Sequence, residues 1–145
     1  MKKILFLFLL AGLFYACKKD SIGTKPILSF KSYSIDSVIS STQQMVLTMN
    51  VEDGDGDIED SIWIGPVFKS NGPNADTFYS VKKMGDIGAN KGNKVKAEVQ
   101  ILLRSIEFKL VQNTGVDSIH FVVFVRDNAG HFSDTISTPK IPYNY

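Results

Sequence analysis

The chain is poor in the residues from which many enzymes and metal proteins build their sites. Cys17 is the single cysteine among 145 residues, so no internal disulfide can form. Two histidines, His120 and His131, and one thiol cannot make a four-ligand structural zinc centre from nitrogen and sulfur. Basic residues number 16 against 15 acidic ones, a net charge of +1, which argues against nucleic acid as a partner because phosphate neutralisation needs clustered Lys and Arg. The long apolar run, Ile4 to Ala16, is about 13 residues, short of the roughly 20 that a membrane-spanning helix requires. Helical periodicity is nearly absent as well.

Lys2 and Lys3 precede that run, which stops at Cys17, and this is the layout of a secretory signal rather than of a strand. Residues 13–17, LFYAC, resemble the lipobox of bacterial lipoproteins. The resemblance implies that residues 1–16 are a lipoprotein signal peptide, that the chain is cut before Cys17, and that Cys17 is lipidated. Each buried methylene contributes about 0.8 kcal/mol, so several acyl chains hold a protein at a membrane where one would not. The resemblance further implies the outer membrane, in a periplasmic or surface-facing position, because no aspartate directly follows Cys17. The CKKD start also resembles lipoproteins of the Bacteroidetes. The polar residues after it make 17–25 a lipidated tether and 26–145 the folded domain. Loss of Lys2 and Lys3 moves the net charge from +1 to −1, and what remains is enough for one ordinary domain.

Alternation of period two dominates that remainder. Met45, Leu47, Met49 and Val51 share one face of an extended segment, and Val95, Ala97, Val99, Ile101 and Leu103 repeat the pattern. Segment 119–125, IHFVVFV, is apolar on nearly every residue and reads as a central strand. Weaker strand patterns lie at 27–35, 61–70, 77–84 and 131–138, each bounded by glycine- and asparagine-rich turns. About seven short strands predict an all-β fold, an antiparallel immunoglobulin-like β-sandwich, with a small barrel as the competing architecture. In such a sandwich three loops emerge at one end: 53–60 (DGDGDIED), 85–93 (GDIGANKGN) and 127–130 (DNAG).

Six of the fifteen acids crowd into VEDGDGDIED, residues 51–60. Alternating glycines let Asp53, Asp55 and Asp57 curl toward one point instead of lining one face of a strand. Several carboxylates with no thiolate or paired histidine suit a hard cation, and Ca²⁺ accepts six to eight oxygens with loose geometry. The EF-hand pattern fails, because Ile58 stands where that loop needs glycine and Ile64 where it needs glutamate. The expected site therefore comprises Asp53, Asp55 and Asp57, with Asp60 or Glu59 as a further ligand and Asp127 completing it from the opposite loop. A solvated turn is the competing reading, since Asp-Gly pairs are strong turn formers without any metal.

The lipobox, the DGDGDI loop at 53–58 and VRDNAGHFSDTIST at 125–138 together resemble a group of small Bacteroidetes lipoproteins with an immunoglobulin-like domain. Glu59 replaces the glycine that often follows the isoleucine in that group. The group implies location and fold, and implies no enzymatic activity. Neither a nucleophile with a base nor two poised carboxylates can be assembled from these residues, so catalytic residues are expected to be none: His120 reads as an outward or hydrogen-bonded strand residue, His131 as solvated, and Trp63, in a strand where a sandwich commonly buries a tryptophan, as a core residue. The functional expectation is a non-enzymatic outer-membrane lipoprotein, a calcium-stabilised binding or structural module with a protein or glycan partner at the cell surface. The alternative is an accessory glycan-binding lipoprotein of a nutrient-uptake system, with aromatics near the calcium pole stacking on sugar.

Overall fold

Alternating side chains along Gln44–Asp53 (strand β3) put Met45, Leu47, Met49 and Val51 on a face from which water is excluded. The computed structural model describes residues 23–72, 76–86, 90–109 and 116–144, so the signal segment, Cys17 and most of the tether lie outside the described residues. Strand β3 is the middle of a three-stranded antiparallel sheet, between β1 (Ile27–Tyr33) and β6 (Val95–Arg104). On the outer face of this sheet Lys96 pairs with Glu52 directly opposite it, at 2.5 Å. Such a cross-strand pair fixes register more than it stabilises.

The second sheet runs β2 (Val38–Ile39), β9 (Ile141–Asn144), β7 (Val116–Arg126), β4 (Ser61–Phe68) and β5 (Ser80–Lys83), with β8 (Ile136–Ser137) also paired to β7. Segment 119–125 is central, as its unbroken apolar character predicts: Ile119, Phe121, Val123 and Val125 are buried between the sheets. Ile62, Ile64 and Phe68 of the neighbouring β4 are buried on the same inner face, and Tyr143 of β9 joins them with its ring edge-on to Phe68 at 5.1 Å. Full burial of one such side chain stabilises by about 1.5–3 kcal/mol. Pro66 lacks a backbone N–H, and it falls in β4 beyond Ile64, the last residue to pair with β5.

The result is an all-β, two-sheet sandwich. The weaker strand patterns contract: 77–84 becomes Ser80–Lys83, and 131–138 keeps only Ile136–Ser137 and an isolated bridge from Phe132 to Arg126. The C-terminal residues, ambiguous by sequence, form β9, whose Tyr143 is buried beside Val38 of the parallel strand β2.

Trp63 corrects an expectation. Ile62 and Ile64 take the inner face of β4, so the residue between them points outward, and Trp63 lies outside the inter-sheet core. There Phe124, its partner across the strand pair, stacks on it at 5.1 Å with the rings 7° apart. Phe132 tilts against it at 5.8 Å and the Arg126 guanidinium lies 5.6 Å from its ring centre. The ring is thus engaged by protein groups on the outer face.

Candidate metal centre

Strand β3 ends at Asp53 and β7 at Arg126, and the chain turns at both points on the same end of the sandwich. The loop leaving β3 reverses through Gly56, whose φ of +72° is the left-handed region that glycine tolerates. That glycine also lies against the loop before β6: a Cβ there would sit 2.2 Å from the carbonyl oxygen of Asn90 and 2.5 Å from that of Asn93. Gly92 N–H donates to the Asp55 carbonyl at 2.6 Å, and Asn128 N–H donates to the Asp57 carbonyl at 2.8 Å. Three loops therefore meet at one pole, joined through the backbone of the acidic one.

The curl brings four carboxylates together. One oxygen from each of Asp53, Asp55, Asp57 and Asp127 lies within 4.8 Å of the other three. Asp53 is fully buried and Asp127 is 1% exposed; Asp55 and Asp57 are half-buried. Asp53 Oδ2 accepts the N–H of Asp57 at 2.9 Å, which closes the turn. Asp53 Oδ1, Asp55 Oδ1 and Asp57 Oδ1 are buried, and among the described residues no hydrogen-bond donor reaches them. Burial raises the Asp53 carboxyl above its ordinary range, with Asp55 beside it adding to the rise. Burial also raises Asp57, and the charges of Asp127, Asp55 and Asp53 push it further the same way.

Buried like charges without donors are costly in the absence of a cation. The donor set is entirely oxygen, and four carboxylates converging on one point fit a metal ion of the hard class. A solvated turn leaves the burial of the three orphaned oxygens unexplained.

Two residues take places different from those expected. Asp60 is not one of the converging four. Its carboxylate forms an ion pair with Arg126 and accepts from the Ser61 hydroxyl at 3.1 Å, and the Arg126 contact holds its pKa below the usual range. The cause is register: Ser61 pairs with Arg126 across β4 and β7, so the residue before Ser61 is carried toward the guanidinium. Glu59 lines the adjoining cavity and is likewise outside the four.

His131 is exposed, as its position after a turn suggests, and it is also engaged. Its N–H donates to Asp127 Oδ1 at 2.7 Å, and its Nδ1 lies 3.0 Å from Asp127 Oδ2. Both contacts fix the orientation of the buried Asp127 carboxylate. The available signal was the four-residue spacing around the DNAG turn, which brings a residue back over the aspartate. His120 is half-buried on β7, where desolvation and then Lys140 lower its pKa.

No protein-family model and no curated protein matches the chain. Among solved structures, the sporulation control protein Spo0M from Bacillus subtilis is similar at 10% identity, with a TM-score of 0.46. That likeness covers 86% of this chain and 51% of Spo0M, so the chain spans about half of the length of that protein. The structural-genomics target SoR45 is similar at 7% identity and a TM-score of 0.29, over 89% of this chain and 90% of that one. At those scores neither likeness bears on function.

Proposed function

We propose that this protein is a non-enzymatic, calcium-stabilised module of immunoglobulin-like type, held at the outer membrane by lipid on Cys17. The observation that carries the calcium reading is the trio of buried, donorless oxygens on Asp53, Asp55 and Asp57 beside the buried carboxylate of Asp127. Calcium would relieve their repulsion and tie the turn after β7 to the loop after β3. Its large radius and tolerance of irregular oxygen shells suit a loop of aspartates better than the strict octahedron of Mg²⁺ does.

The immunoglobulin-like assignment is supported by the order β1-β3-β6 in one sheet and β9-β7-β4-β5 in the other, with β2 running parallel to β9. A binding role is preferred to hydrolysis because the four carboxylates converge as an all-oxygen set suited to holding a cation.

Calorimetry and thermal melts of the full chain test the calcium reading. Calcium is expected to bind and to raise the melting temperature, stabilising by about 2.7 kcal/mol at a hundredfold excess over its Kd. No heat and an unchanged melt at millimolar calcium would sink it. For the anchor, Cys17→Ser is expected to release the protein from membranes and to abolish labelling by radioactive palmitate.

A further inference from the structure

The four carboxylates do not complete a calcium shell. One oxygen of each reaches the common point, and calcium takes six to eight, so singly coordinating carboxylates leave two to four positions. The two buried ligands are poorly placed to supply more. Asp53 already gives Oδ2 to the N–H of Asp57, and both oxygens of Asp127 are held by His131. Asp55 and Asp57 line a cavity of about 440 Å³ together with Glu59, Asn90, Lys91 and Asn128, a volume within the range of small-ligand sites.

Charge decides what class of ligand can enter. Four carboxylates and one Ca²⁺ leave a formal charge of −2, and Glu59 and Lys91 on the rim cancel each other. A carboxylate or phosphate would approach against that field. A neutral ligand with two adjacent hydroxyls meets no such barrier, and it replaces two bound waters with one molecule. Asn128, which lines the cavity, carries an amide of the kind that hydrogen-bonds hydroxyls.

We propose that the calcium at this pole is a bridging ion, whose open positions in the Asp55–Asp57–Asn128 cavity coordinate the vicinal diol of a neutral carbohydrate. This inference rests on the calcium reading and moves glycan recognition from the aromatic face, where the Trp63 ring is engaged by Phe124 and Arg126, to the pole.

Terbium, which substitutes for calcium, tests it through luminescence lifetimes of the full chain in water and in heavy water, a comparison that counts waters on the bound ion. At least two bound waters are expected. Methyl glycosides of mannose, galactose, glucose and fucose are then titrated at millimolar concentration, and at least one is expected to remove two waters. The same glycoside should bind the calcium-loaded protein in calorimetry and lose at least tenfold in affinity in chelator. Glucuronate should bind more weakly than methyl glucoside. An ion carrying one water or none, or waters that no glycoside displaces, overturns this inference and leaves the calcium reading standing. Absence of both terbium luminescence and calcium heat overturns the two together.

Discussion

Asp57 and Asn128 are joined across the pole by a backbone hydrogen bond of 2.8 Å, so the acidic loop is docked on the turn that carries Asp127 through uncharged groups. The four carboxylates converge although they repel. A cation would enter a site whose walls are already in place, and its binding free energy would appear as stability with little spent on ordering loops.

That arrangement predicts opposite effects of one substitution in two conditions. Asp53→Asn keeps the side-chain shape and an oxygen for the Asp57 N–H, but removes a buried charge. In chelator the variant is expected to melt above the wild type. With calcium it should melt below, because affinity falls at least about tenfold, or about 1.4 kcal/mol. Scanning calorimetry with and without calcium checks both signs. A variant that melts lower in chelator would show that the Asp53 charge is already compensated within the fold.

The raised Asp53 and Asp57 carboxyls predict a pH dependence of defined sign. A carboxyl whose folded pKa is raised binds protons more readily folded than unfolded. Stability in chelator therefore falls as pH rises from about 4, the unfolded value, through the folded pKa. Other carboxyls act oppositely: Arg126 lowers Asp60, whose contribution is lost on acidification. The difference between wild type and Asp57→Asn isolates the effect. The variant's advantage in chelator should be greatest at neutral pH and vanish toward about pH 4. An advantage that grows on acidification would contradict the cause assigned to the shift.

Gly56 and Gly130 separate backbone strain from loop contact. Both have positive φ, +72° and +94°, so alanine strains either. Among the described residues a Cβ at Gly130 meets nothing within 4 Å, whereas at Gly56 it strikes the carbonyl oxygens of Asn90 and Asn93. Gly130→Ala is expected to cost about 1–2 kcal/mol. Gly56→Ala should cost at least about 1 kcal/mol more and also weaken calcium binding, since the loop must shift off its neighbour. Denaturant unfolding and calcium calorimetry on both variants provide the comparison. Equal costs would mean that the loop before β6 is not held against the acidic one.

The sequence made the sandwich and the acid pole visible through two local patterns, alternation and the Asp-Gly repeat. Met45 to Val51 and Val95 to Leu103 needed no long-range information, because residue parity alone decides which side is dry. The parity of Ile62 and Ile64 was equally legible and places Trp63 outside, against the expectation of a core residue. The Asp60–Arg126 pair was hidden for a different reason. It depends on the register between β4 and β7, and no local pattern reports which residue of one strand faces which residue of the other. His131 was hidden by conformation, since its reach to Asp127 depends on how the turn folds back.

The outer position of Trp63 predicts a cost set by surface packing. It stacks on Phe124, leans on Phe132 and lies beside Arg126, contacts that stabilise by roughly 1–3 kcal/mol together when half-exposed. Trp63→Ala is expected to lose that amount and remain folded. Phe121→Ala, between the sheets, should lose about 3–5 kcal/mol. Urea titrations followed by circular dichroism rank the two. A Trp63→Ala protein that unfolds outright, or that loses more than Phe121→Ala, would return Trp63 to the core.

Tyr33 links the two sheets by chemistry that titrates. Its hydroxyl donates to Thr138 and lies 2.9 Å from the carbonyl of Pro139, while Thr138 Oγ1 accepts the Phe121 N–H at 2.7 Å. Burial pushes the phenol from 10.0 up to about 12, against the smaller opposing effect of the Thr138 contact. The sign follows from the neutral form being the one that fits. The folded state keeps its proton where the unfolded chain has lost it, so stability is intact below about pH 10 and falls as pH rises toward about 12. Tyr33→Phe should be less stable than wild type at neutral pH by about 1 kcal/mol, the net worth of a lost hydrogen bond. Its alkaline decline should be flatter, so the two stability curves converge above about pH 10. Unfolding free energies measured across that range decide it, and parallel curves would show that the phenol is free to ionise in the folded protein.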